Sequence, residues 1–305
     1  MYSIDRRVRL KAKLNEKELY QLFHSHHYVG VFHLATISPY TIDSQNIITG
    51  TLNLLSQVCT ANVNNIVFAS SGLVYGSPTR AELGVTVPTA PETPFATTTS
   101  PSKACWQTSM KPTAWAPSAY VLILHRAWPS NTTIIKGTSY PPELVKLLKA
   151  FLPNNARTFE VPGDKNSKLG TSPVRDYIHV LNVCDAFIKA MLYLQQGEQG
   201  AQKFNLGSNG GVSYKNLLGI AKRVSDTHDS NTHNKAMAGE HAPTVQTLSS
   251  LKAKELLGWK PKYTTEDILQ SLRQDLKPAA SWPKNKRYQS KRGSSNLSLL
   301  YCCLA

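Results

Sequence analysis

Acidic residues are scarce in this chain: 19 Asp and Glu stand against 34 Lys and Arg, for a formal charge of +15. That imbalance disfavours cationic partners and leaves three anionic ones: nucleic acid, an anionic membrane or an anionic small substrate. No glycine precedes Gly30, so no glycine-rich turn of the kind that brings backbone N–H groups up to a phosphate can be built before it. No tyrosine stands between Tyr75 and Tyr120, which removes any phenolate base from that stretch. The five cysteines (Cys59, Cys105, Cys184, Cys302 and Cys303) are odd in number and lack metal-ligand spacing. They argue against a disulfide framework and against a metal site, and fit a reducing, cytoplasmic setting. No apolar run is long enough to span a bilayer, and Met1 to Lys13 is basic with no apolar stretch of signal-peptide type.

What is present is ordinary core material: 41% hydrophobic over 305 residues. That suits one large α/β domain, or a nucleotide-binding domain with a smaller lobe. Glu16 to His24 and Ile47 to Val58 carry apolar residues at helical spacing, while Val29 to Ala35 and Asn65 to Ser71 read as buried strands. Strand, helix, strand at this spacing is the βαβ unit of a doubly wound sheet, whose ligands sit at the carboxyl ends of the strands. Tyr120 to Leu124 is a further buried strand. Helices are expected over Glu143 to Phe151, Asp185 to Leu194, Tyr214 to Val224, Ser249 to Leu257 (closed by Gly258) and Glu266 to Leu276. Basic clusters lie at both ends, Arg6 to Lys13 and Lys284 to Arg292. No nucleic-acid module accompanies them, so they read as solvated termini and nucleic acid is not expected as a partner.

The most informative run is Val174-Arg175-Asp176-Tyr177-Ile178-His179-Val180. An Arg-Asp pair leads into what reads as an alternating strand, with Tyr177 and His179 on one face and Ile178 and Val180 on the other. Arg175 offers a five-donor fork to a phosphate or carboxylate; a structural ion pair at a strand end is the plainer alternative. Four further strings follow in order: Val31-Phe32-His33-Leu34-Ala35, Gly50-Thr51-Leu52-Asn53-Leu54-Leu55, Phe68 to Gly76, and Lys252 to Pro261. Together these resemble the UDP-glucose 4-epimerase family of the extended short-chain dehydrogenases, discontinuously from about Val8 to Leu276.

The resemblance implies a Rossmann-like parallel sheet with a smaller C-terminal substrate lobe, NAD as cofactor and a UDP-sugar as ligand. In the family a Tyr takes a proton from the sugar 4-hydroxyl while hydride passes to NAD. A Lys four residues later lowers the Tyr pKa, and a Ser bonds the reacting oxygen. By position, Ser71 matches the Ser and Lys103 the Lys. Leu34, Ala35, Thr36, Ser71, Lys103 and Trp128 fall where the family meets its cofactor, and Arg175 and Glu240 where it meets the nucleotide sugar.

The chain also departs from the pattern. Thr99 stands four residues before Lys103. A Thr hydroxyl ionises far above the value of about 10 that makes Tyr a usable base. Lys13 and Ile47 replace an Asp and an Asn of the family. Arg126-Ala127-Trp128-Pro129 replaces an Arg-Tyr-Phe-Asn string, and Ala238-Gly239-Glu240 stands where a phosphate-binding Arg is expected. The chain enters the family pattern near its third strand, so the first βαβ half is expected to be missing. The expected division is an incomplete NAD-binding domain over 1–130, a mainly substrate-binding lobe over 131–277 and a basic disordered tail over 278–305. An impaired epimerase fits these features. The competing reading is a catalytically silent nucleotide-sugar-binding or regulatory protein, or an incomplete gene product. An exposed sheet edge would favour aggregation or a homodimer. Cys302-Cys303-Leu304-Ala305 approaches a prenylation signal, but Cys303 is not aliphatic and membrane attachment is not expected.

Overall fold

Two short apolar strands, β1 (Tyr28–His33) and β2 (Asn65–Ser71), lie side by side in parallel, with Val31 opposite Ile66 and His33 opposite Phe68. Successive side chains on a strand point to opposite faces. Val31, Ile66 and Phe68 therefore meet one set of helices, α1 (Glu16–Ser25) and α2 (Ser44–Thr60), through Leu19, Phe23, Leu54, Leu55 and Val58. Phe32, Val67 and Ala69 meet the other set, among them Ala186, Phe187, Ala190 and Met191. Helices on both faces of a parallel sheet define the doubly wound α/β architecture, and the expected Rossmann-like fold is the one observed.

The computed structural model describes residues 16–25, 27–34, 44–76, 82–92, 96–97, 118–124, 133–135, 138–152, 160–163, 174–197, 200–208, 210–225, 235–238, 245–276 and 298–302. A 3-10 turn (Gly72–Tyr75) follows β2, and β3 (Glu82–Leu83), β4 (Ser118–Leu124), β5 (Thr133–Ile135) and β6 (Thr138–Tyr140) come next. Then come α3 (Pro142–Ala150), β7 (Glu160–Gly163), β8 (Val174–Arg175), α4 (Val180–Gln195), β9 (Gln202–Leu206), β10 (Val212–Ser213) and α5 (Tyr214–Ser225). β11 (Lys235–Ala238), β12 (Val245–Leu248), α6 (Leu251–Leu257), α7 (Thr265–Leu276) and β13 (Ser298–Cys302) complete the order. The main sheet runs β13-β1-β2-β4-β9 and is parallel throughout. A second sheet runs β10-β8-β12-β3. Among the described residues no helix is long and apolar enough to cross a membrane.

A separate apolar cluster joins α3, α5 and α7: Leu144, Leu147 and Leu148 pack with Leu217, Ala221, Leu269 and Leu272, all nearly inaccessible. Side chains of this size each contribute roughly 1.5–3 kcal/mol when fully buried. A smaller cluster of Val74, Tyr75, Leu83 and Leu248 joins the turn after β2 to β3 and β12. The turn after α6 is fixed from both ends. Gly258 takes the left-handed conformation that ends the helix (φ 59°), and the buried Trp259 donates Nε1–H to the Asn182 carbonyl at 2.9 Å. The Asn182 side chain then accepts from Lys262 N and Tyr263 N and donates to the Tyr263 carbonyl, docking this loop on α4.

Two expectations need correction. The run from Arg175 to Val180 is not one alternating strand: β8 holds only Val174 and Arg175, and Val180 opens α4. A helix start leaves N–H groups without intrahelical acceptors, and the His179 Nδ1 accepts one of them from Leu181 at 3.1 Å. Asp176 is drawn inward by two N–H groups, which ends the ladder. The second correction concerns the tail, expected to be unpacked. Within it Ser298–Cys302 forms β13, parallel to the outer edge of β1. The apolar run Leu299-Leu300-Tyr301 meets an edge whose N–H and C=O groups need partners. That edge was expected to be open.

His33 ends β1 almost fully buried, 1% exposed, with Nε2 at 3.0 Å from the Thr51 hydroxyl and its ring edge-on to Phe68. Nδ1 has no hydrogen-bond partner among the described residues. Burial pushes the imidazole down to about 4, so the folded chain holds it neutral. Below pH 6.5 the unfolded chain takes up a proton that the folded chain refuses until about pH 4. Stability is therefore lost as pH falls through that window, by on the order of 3 kcal/mol from this group. Urea denaturation at pH 7 and pH 4 should show a loss that is smaller by about this amount in His33→Gln; equal losses in both proteins would contradict it.

Candidate functional site

The carboxyl ends of β1 and β2 carry two of the expected site residues. Leu34 follows β1, half-buried against the cluster beneath α4. Ser71 ends β2 and is half-buried; its Oγ accepts the Leu73 N–H at 3.2 Å and caps the 3-10 turn. A hydroxyl accepting in this way keeps its own O–H to donate outward. Tyr75 ends the same turn. It is 2% exposed, and its hydroxyl donates to Asn205 Oδ1 at 2.8 Å. Asn205 Nδ2 in turn donates to the Leu83 carbonyl at 2.8 Å. Burial pushes the Tyr75 hydroxyl up, only partly offset by Asn205. Tyr75 is thus a structural tie from the turn to β9 and β3. This bridge was not read from the sequence, although a polar Asn inside Phe204-Asn205-Leu206 is the signal that betrays it.

Arg175 lies half-buried on β8, opposite Val212 of β10 and Gln246 of β12. Glu143, in the first turn of α3, stands within electrostatic reach of it. Burial pushes the Glu143 carboxyl up, while Arg175 and Lys146 pull it down. Tyr177 and Tyr214 share this surround, and their hydroxyls are driven up mainly by burial and further by Glu143. Asp176, next to Arg175 in sequence, is fully buried. Its carboxylate accepts Ser208 N–H at 2.6 Å and Leu248 N–H at 3.2 Å. One side chain therefore ties β8 to the loop after β9 and to the end of β12. Gly207 makes this close approach possible: a Cβ there would strike the Leu248 carbonyl and stand 2.6 Å from Asp176 Oδ2.

Five expected residues, Ala35, Thr36, Lys103, Trp128 and Glu240, lie outside the described residues, as does Thr99. A dinucleotide pyrophosphate needs open backbone N–H groups at the carboxyl end of a strand. After β9 the opposite holds. Gly207 is closed off by protein, the Ser208 N–H is already taken, and the neighbouring charge is a carboxylate. That turn does not suit a pyrophosphate.

Replacing Asp176 with Ala strands two N–H groups and should cost about 3 kcal/mol, because each buried donor left without an acceptor costs roughly 1–3 kcal/mol. Asp176→Asn, which keeps one acceptor oxygen, should cost less. Gly207→Ala should destabilise through the clash with the Leu248 carbonyl. Urea denaturation followed by the fluorescence of buried Trp259 measures all three, and a loss below 1 kcal/mol for Asp176→Ala would refute the tie.

The sequence profile of the GDP-mannose 4,6 dehydratase family matches residues 10–272. A UDP-glucose 4-epimerase of Lacticaseibacillus casei is 28% identical over 284 residues, covering 88% of this chain and 80% of its own. One from Streptococcus mutans is 30% identical over 242 residues, covering 77% of this chain and 69% of its own. Among solved structures, the UDP-glucose-4-epimerase of Stenotrophomonas maltophila, with bound NAD and formylated UDP-arabinopyranose, superposes with a TM-score of 0.69 at 22% identity. The match covers 87% of this chain and 81% of that one. At that identity the superposition speaks for the fold, and the sequence matches carry the rest: this chain belongs to the UDP-glucose 4-epimerase family of extended short-chain dehydrogenases.

Proposed function

We propose that this chain is a cytoplasmic UDP-sugar-binding protein whose 4-epimerase turnover, the activity its relatives are named for, is impaired. The observation that carries the reading is the contrast between its two halves of the chemistry. On the binding side, Arg175 presents a guanidinium from a strand locked by Asp176, a group suited to a diphosphate by charge and by fork geometry. On the catalytic side, Thr99 stands where a Tyr is needed, and Tyr75 is buried and committed to Asn205. Loss of a general base costs about two to four powers of ten in rate. By the family's pattern Ser71 would donate to the sugar oxygen and Lys103 would supply the positive charge. NAD is the cofactor by family, and its retention by this chain is expected to be weak.

Calorimetric titration with UDP-glucose should show binding that weakens about tenfold or more in Arg175→Ala, since a hydrogen bond to a charged group contributes roughly 1.5–3 kcal/mol. It should weaken further with added salt. Purified protein should carry little NAD and convert UDP-galactose at a rate at least a hundredfold below an active relative. Stoichiometric NAD with ordinary turnover would overturn the impaired reading, and no change in UDP-glucose binding on Arg175→Ala would overturn the site.

A further inference from the structure

The main sheet grows in one direction from β1 through β2 and β4 to β9, and the chain then returns to the opposite side of β1 as β13. Among the described residues β13 is an edge strand whose single sheet neighbour is β1. Its register sets Leu299 opposite Gly30, Leu300 opposite Val31, Tyr301 opposite Phe32 and Cys302 opposite His33. The pairing is irregular at its start, between Tyr28 and Gly30, whereas β1 and β2 pair regularly. A parallel partner cannot be reached through a tight hairpin and needs a connection of a dozen residues or more. Here about 20 residues separate Leu276 from Ser298.

We propose that the outer edge of β1 is a docking site for an extended apolar strand in parallel register, and that Ser298–Cys302 is its exchangeable occupant, supplied by the same chain. This goes beyond the nucleotide-sugar reading and does not rest on it. The unpaired N–H and C=O groups of an edge strand are a template for strand addition, which gives affinity through the main chain and selectivity through alternate side chains. The tether holds the strand at an effective concentration of about millimolar, so at micromolar protein the same chain outcompetes a second copy. A short strand paired on one side only belongs to the least stable part of a fold, which makes it exchangeable. Cys302 stands opposite His33, at the carboxyl end of β1.

The test uses the full chain and a fluorescently labelled peptide of residues 294–305 under reducing conditions. The double variant Leu299→Pro, Leu300→Pro removes two successive N–H groups. Successive N–H groups alternate sides, so one of them faces β1. This variant should bind the peptide at least tenfold more tightly than the wild type, whose own strand competes. Equal affinity in both proteins, or binding to neither, overturns the proposal. Hydrogen exchange on the wild type guards against a variant that fails to fold: those amides of 299–302 that face β1 should exchange at least a hundredfold faster than those of Ile66 to Phe68. Equal protection overturns exchangeability. A wild-type dimer abolished by the double variant would assign the strand to a second copy and overturn supply by the same chain.

Discussion

The two buried hydrogen bonds accepted by the Asp176 carboxylate are the constraint on which the site depends. β8 is two residues long, too short to hold Arg175 by its ladder alone. Asp176 fixes it by drawing Ser208 N–H from the end of β9 and Leu248 N–H from the end of β12 to one point. β9 belongs to the main sheet and β12 to the smaller one, so this side chain couples the two sheets. A carboxylate is suited to the task because it accepts at both oxygens and is drawn into the interior only where donors meet it. Gly207 leaves room for it, and Arg175, one residue earlier, is thereby held between β10 and β12.

Most of the framework was legible in the residues because its elements are strongly periodic. The apolar runs at Val29 and Asn65 made parallel strands, and Leu55 and Val58 marked a helix in which both are buried, while Leu52, expected on the same face, is exposed and Leu54 is buried instead. Gly258 closed α6 in the left-handed conformation for which glycine is suited. What escaped was decided by tertiary contacts rather than by pattern. His179 sits in a run that alternates like a strand, yet a helix start needs its ring nitrogen as a cap. Leu299 to Tyr301 lie in a polar, basic stretch whose average composition signals disorder, while the open side of β1 rewards those few residues with pairing. Asn205 is legible only as a polar interruption, because its partners Tyr75 and Leu83 are far away in sequence.

The site divides along the same line. Arg175 lies in the motif singled out in the sequence, and the structure adds Asp176 next to it in the chain and Glu143 within electrostatic reach. Ser71 is where the sequence placed it, with its oxygen occupied by the Leu73 N–H. Position in a fold can persist without the group that performs the chemistry, because packing and catalysis rest on different residues. Tyr75 and Ser71 illustrate this. Both sit on one turn, one of them wholly committed to holding the turn to the sheet and the other still able to donate a proton outward.

The central claim is that Arg175, held by Asp176, receives a diphosphate. A crystal structure of the chain with UDP-glucose tests it most directly. The account predicts a phosphate oxygen within about 3 Å of the Arg175 guanidinium, the ordinary distance for a charge-assisted hydrogen bond. A UDP-glucose whose diphosphate lies elsewhere, with Arg175 turned away from it, would contradict the account.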